Sequence, residues 1–127
     1  MPRIVTALAA LVLALHGLIH LMGTAVYMKL GEIQGLTYKT TVLGGRVDLG
    51  EHGIRVFGAL WAVPAVAFVV AALALNQGWE WWQPLLVAAT LLSLVLTGLD
   101  WRLAFAGAIV DLAILGLLWL LPRTAAA

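Results

Sequence analysis

The sequence predicts an all-α fold: a four-helix transmembrane bundle with a long polar loop between its first and second helices. Three observations predict it. Charged residues make up 10% of the chain and hydrophobic residues 64%, where a soluble domain carries about a quarter charged residues. Four apolar runs each approach the roughly 20 residues that cross about 30 Å of hydrocarbon as a helix. Inside those runs the few polar residues recur three and four apart, the spacing of neighbours on one helix face.

The elements follow in order. The first span covers residues 4–27 and is too long for the roughly 7–15-residue core of a cleaved leader. The second covers residues 53–75 and contains Pro64, and the third covers 81–99, with Trp81 and Trp82 extending its start. The fourth covers 103–121. Inside lipid the backbone must satisfy its own hydrogen bonds, so these runs are helices and not strands. Between the first two spans, residues 28–52 are polar and glycine-rich, and Gly44-Gly45 suits a two-residue hairpin turn between residues 37–43 and 46–49. Trp79, Trp81 and Trp82 in the second connection read as aromatic interface anchors. The third connection is a turn at Asp100, Trp101 and Arg102.

The 127 residues make one integral membrane domain, 1–127. Its evident partner is the lipid bilayer. A net charge of +1 gives no reason to expect nucleic acid. With no cysteine there is no disulfide, no thiol relay and no thiolate-bound metal, which removes disulfide-oxidase chemistry. Lys29, Lys39, Arg46, Arg55 and Arg102 fall on one face of a four-pass topology, and only Arg3 and Arg123 on the other. The positive-inside rule therefore places the long loop in the cytoplasm and both termini outside.

The candidate site comes from the polar residues that hydrocarbon cannot solvate. His16 and His20 lie one turn apart in the first span, in line with Gly23 and Tyr27. Thr90, Ser93, Thr97 and Asp100 line one face of the third helix, and Asp100, Ala104, Gly107 and Asp111 one face of the fourth. Arg55, Gly58 and Ala62 form a small-residue stripe on the second. Such stripes are where membrane helices approach closely and hydroxyls bond across. His16 and Asp111 each lie near the middle of their spans, where a lone charge costs at least about 2.5 kcal/mol, so a hydrogen bond between them is expected. His20, a turn nearer the long loop, is expected to approach Asp100, Thr97 or Arg55. Asp100 and Arg102 themselves read mainly as markers of the membrane boundary. The ligand or proton site so predicted comprises His16, His20, Asp111, Asp100 and Arg55.

Other chemistries find less support. Two histidines at this spacing can chelate one metal, and zinc would need Asp111 as a further ligand, but no zinc spacing motif accompanies them. A haem needs axial ligands from opposite sides, which one helix does not supply. No nucleophile elbow, phosphate loop or paired-carboxylate motif occurs. No metal, cofactor or catalytic residue is assigned.

The string His-Gly-Leu-Ile-His-Leu-Met-Gly at 16–23, on the first helix of a small four-pass chain, resembles a group of small bacterial membrane proteins. It is similar also to the DoxX-like four-helix family, whose members often carry a His-Gly pair in the first span. The resemblance covers one motif and the topology. It implies a plasma-membrane location and a role as accessory or anchoring subunit of a membrane redox complex. The residues themselves favour a non-enzymatic role, ligand binding or proton-linked transport, for which a homodimer or larger complex would add volume. A small isomerase or cyclase using His16 and Asp111 as acid and base is a further reading, and it requires a pocket.

Overall fold

The computed structural model describes residues 2–120. Its architecture is the expected four-helix bundle, with four spans long and apolar enough to cross a membrane: Arg3–Tyr27, Gly50–Gln77, Trp82–Leu99 and Trp101–Leu120. The first span is two helices in line, α1 (Arg3–Ile19) and α2 (Leu21–Tyr27). The others are α3 (Gly50–Gln77), α4 (Trp82–Leu99) and α5 (Trp101–Leu120). Helix α3 runs through Pro64, which is fully buried. It ends at Gly78, whose φ of 76° is the left-handed conformation that closes helices. The expected residue Leu121 and the cation Arg123 lie outside the described residues.

The outward faces carry Leu8, Val12, Val56, Val63, Ile109 and Leu112, all exposed. Water would not tolerate that surface, whereas lipid is its natural solvent. Packing runs in sequence around the bundle: α1 and α2 against α3, α3 against α4, α4 against α5. The ring stays open between the first span and α5.

The first interface depends on glycine. A Cβ added to Gly17 would lie 2.7 Å from Phe68 Cβ and 2.9 Å from the Ala65 carbonyl oxygen. One added to Gly23 would lie 2.9 Å from the Trp61 ring, and one on Gly58 2.9 Å from Tyr27 Cβ. Close backbone approach of this kind supplies the packing that drives helix association in lipid. Two apolar clusters result, one built on Leu13, Phe68 and Leu86, the other on Tyr27, Ile54, Phe57, Trp61 and Leu96.

The connection between the first two spans differs from the long polar loop that composition suggested. It is shorter, ending at Leu49, and much of it is folded. Strands β1 (Thr41–Val42) and β2 (Val47–Asp48) pair antiparallel, with Thr41 opposite Asp48. They are joined by a single turn of 3-10 helix at Leu43–Gly45 and not by a two-residue turn. Val42 is buried in the second apolar cluster, and Ile33, Leu36 and Tyr38 pack against it. Apolar side chains spaced among the glycines thus pull the segment onto the bundle as a cap. Asp48 Oδ1 accepts the Gly50 N–H at 2.9 Å and the Thr40 hydroxyl at 2.8 Å. These bonds to the ionised form hold its carboxyl below the usual carboxylate range. Arg102 lies against Gly44, so the α4–α5 turn and the cap share one end.

Close packing at Gly17 predicts that Gly17→Ala lowers thermal stability in detergent by about 1–3 kcal/mol, the usual cost of overpacking. Gly116→Ala, where an added Cβ meets nothing within 4 Å, is the control and should cost nothing. Equal melting temperatures for Gly17→Ala and the parent would contradict this account of the interface.

Candidate functional site

The site begins with a fault in the first span. At His20 the backbone N–H donates to the Gly17 carbonyl at 3.0 Å, a bond one residue shorter than the α-helical one, and Gly23 N–H donates likewise to His20. Local tightening of this kind separates α1 from α2. The His16 carbonyl is satisfied instead by the imidazole of His20, whose Nδ1 lies 2.8 Å away. A carbonyl only accepts, so His20 Nδ1 carries a hydrogen.

From there a buried polar chain crosses the bundle. His20 Nε2 lies 2.7 Å from Ser93 Oγ on α4. Ser93 Oγ lies 2.5 Å from Asp111 Oδ2 on α5. Asp111 Oδ1 lies 2.8 Å from His16 Nε2, back on α1. Asp111 and Ser93 are fully buried and His16 is 8% exposed. Thr90 and Thr97 on the same face of α4 turn their hydroxyls to backbone carbonyls of their own helix, Leu86 and Ser93. The only ring of α3 near this layer that bears a polar atom is Trp61, 5.5 Å from His20 centroid to centroid; Phe68 packs edge-on to His16.

Counting hydrogens fixes the state of this chain. Each contact needs one hydrogen, so the three side-chain contacts and the one to the His16 carbonyl need four in all. Neutral His16, neutral His20 and Ser93 supply one each. The fourth sits either on Asp111, which then donates to Ser93 while Ser93 donates to His20, or on His20 Nε2, which donates to Ser93 while Ser93 donates to the carboxylate. The two arrangements hold the same hydrogens and differ by a shift along the Ser93 hydroxyl. Both leave the network without net charge, the arrangement a buried site favours. In both, His16 donates through Nε2, and its Nδ1 keeps a free lone pair.

A second polar group lies towards the cap. Asp100, at the end of α4, is 7% exposed. It accepts the Tyr27 hydroxyl and the Lys39 ammonium, the latter at 2.6 Å, and Lys39 also donates to Tyr27 at 3.0 Å. Lys39 thereby ties the cap to the bundle.

Between the first span and α5 lies a partly open cavity of about 290 Å³. His16, His20, Tyr27, Thr97 and Asp100 line it among mostly apolar neighbours such as Leu103 and Val110. Both polar groups therefore meet one space.

Of the residues singled out in the sequence, the structure brings His16, His20 and Asp111 into one network, and the His16–Asp111 pair that matched depth predicts is made. His20 bonds Ser93 and the His16 backbone rather than Asp100, Thr97 or Arg55. Asp100 is no simple boundary marker, because burial forces it to take Tyr27 and Lys39 as partners. Arg55 does not belong to the site: it is exposed, because Ile54 beside it takes the inward position on α3. Among the described residues no group of three or more His, Cys, Asp or Glu is placed to hold a metal ion. Sequence reasoning placed Ser93 on the correct face without its role, and missed Lys39, which had been read only as a topological charge.

Compared with known proteins, the chain matches no family model, no curated protein and no solved structure.

The pairing predicts energetic coupling. His16→Leu or Asp111→Leu alone leaves a buried polar partner unsatisfied, while the double variant removes both. A double-mutant cycle on thermal stability in detergent should give a coupling of about 0.5–3 kcal/mol. Strict additivity would mean that the two side chains do not interact.

Proposed function

We propose that this multi-pass membrane protein binds a small, mostly apolar molecule taken up between its first span and α5. The observation that carries this reading is the cavity of about 290 Å³, which reaches both His16 and Asp100. An apolar pocket with a few convergent polar groups is the usual form of a small-molecule site, and this one lies just under the roughly 300–1,000 Å³ range. A subunit that served only as an anchor would have no use for such a space.

The reading includes a place in the cell. The protein resides in the plasma membrane with the cap, residues 28–49, in the cytoplasm. What supports this is the sequence position of Lys29, Lys39, Arg46, Arg55 and Arg102 on the side of the cap, against Arg3 and Arg123 on the other. The chain has no cysteine, so single variants report cleanly. Gln77→Cys should react with an impermeant thiol reagent in intact cells and Gln34→Cys only after permeabilisation; the reverse pattern would invert the topology.

Binding itself is tested with butylbenzene and its derivatives. Ala106 lines the cavity and is exposed, so Ala106→Trp fills the space without disturbing the core. Butylbenzene should stabilise the parent in nanodiscs against thermal unfolding, by as much as about 2.7 kcal/mol at a hundredfold excess over Kd. It should leave Ala106→Trp unmoved, and the comparison separates the cavity from partition into lipid. Equal shifts in both proteins would remove the cavity as a binding site.

A further inference from the structure

The cavity reading leaves open which small apolar molecules fit, and the hydrogen count answers that. His16 donates through Nε2 to Asp111 in both satisfied arrangements of the network, so its Nδ1 is an acceptor. That Nδ1 has no partner among the described residues. The one buried side-chain nitrogen or oxygen without a partner there is Trp61 Nε1, so His16 Nδ1 is not sealed off. His16 is among the residues that line the cavity. An acceptor lone pair on a side chain that is 8% exposed thus opens onto an otherwise mostly apolar surface.

Of the other polar groups on that surface, Trp61 Nε1 has no partner but is sealed off and can only donate, and the rest are engaged. The Tyr27 hydroxyl donates to Asp100 and accepts from Lys39. Thr97 donates to the Ser93 and Leu94 carbonyls. Both nitrogens of His20 are bonded. Asp100 accepts from Tyr27 and Lys39, so among the described lining side chains His16 Nδ1 is the acceptor left without any partner, where an occupant gains a hydrogen bond without breaking one.

Resting on the cavity reading above, we infer that the site selects small apolar molecules that carry a neutral hydroxyl, alcohols or phenols, through donation of that hydroxyl to His16 Nδ1. Asp111 acts behind the ring as a positioning residue, holding the proton on Nε2 and the lone pair on Nδ1, as a carboxylate behind a histidine generally does. A methyl ether of the same shape offers no hydrogen and leaves Nδ1 unpaired under an apolar lid. A carboxylate has no hydrogen to give at neutral pH and brings a charge into an apolar space.

The probes are para-butylphenol, para-butylanisole and para-butylbenzoate, titrated into the full-length protein in nanodiscs. The phenol should bind about tenfold tighter than the anisole, the worth of one net buried hydrogen bond, and the benzoate should not bind. In the His16→Leu, Asp111→Leu double variant the phenol-to-anisole ratio should fall to about one. An independent reading that needs no variant is the nitrogen-15 spectrum of His16, in which Nδ1 should be unprotonated in the free protein and should shift on adding phenol but not anisole. Equal binding of phenol and anisole, both blocked by Ala106→Trp, would leave the cavity reading standing and overturn hydroxyl selection. Binding of neither would overturn both. A ratio that survives loss of His16, or a proton resident on Nδ1 in the free protein, would also overturn it.

Discussion

One hydrogen bond ties the last helix of the bundle to the first span. Helix α5 packs mainly on α4, and a hydrogen bond that returns it to the first span is His16 Nε2 to Asp111 Oδ1 at 2.8 Å. Both groups sit near the middle of their helices. Each is intolerable there without the other. The pair is thus both latch and liability: it holds the ring of helices shut at one level while leaving an open cleft towards the cap. Ser93 and His20 extend the latch into a closed circuit that ends on the His16 carbonyl, so the side chain that faces Asp111 and the backbone it rises from belong to one network.

The same arrangement explains why the first span is faulted where it is. An unbroken α-helix would satisfy the His16 carbonyl with the His20 N–H. The tighter turn frees that carbonyl for the His20 ring, which fixes Nδ1 as a donor and aims Nε2 at Ser93. Glycines at 17 and 23 permit the approach to α3 that sets the height of both rings against Phe68 and Trp61. Local geometry, interhelical packing and the hydrogen pattern of the site are one constraint expressed at three scales.

That coupling also explains what the sequence could and could not disclose. The spans were legible because hydropathy is local and lipid imposes it residue by residue. The His16–Asp111 pair was legible because depth follows from position within a span, and depth alone selects its partner. The partner of His20 was not, because choosing Ser93 over Thr97 requires the axial offset between the first span and α4, a matter of one turn set by glycine contacts. Arg55 failed for a rotational reason, since neighbouring residues on a helix face directions about 100° apart and Ile54 claimed the interior. The cap was hidden by its own composition: many glycines and charges read as a loop, while the few apolar residues that fold it, Ile33, Leu36 and Val42, act only once the bundle offers a surface. Lys39 reaches Asp100 across 61 positions in the chain, a separation for which no local pattern exists.

The central claim is that His16 and Asp111 are joined across the cleft in lipid. Solid-state NMR of the protein in bilayers, with nitrogen-15 in the histidine rings and carbon-13 in the aspartate carboxyls, reads this directly as a dipolar contact. The account predicts a strong contact between His16 Nε2 and the Asp111 carboxyl carbon, as a 2.8 Å hydrogen bond requires. Absence of that contact in a sample that also carries carbon-13 at serine Cβ, and in which the contact of His20 Nε2 with Ser93 is seen, would contradict it.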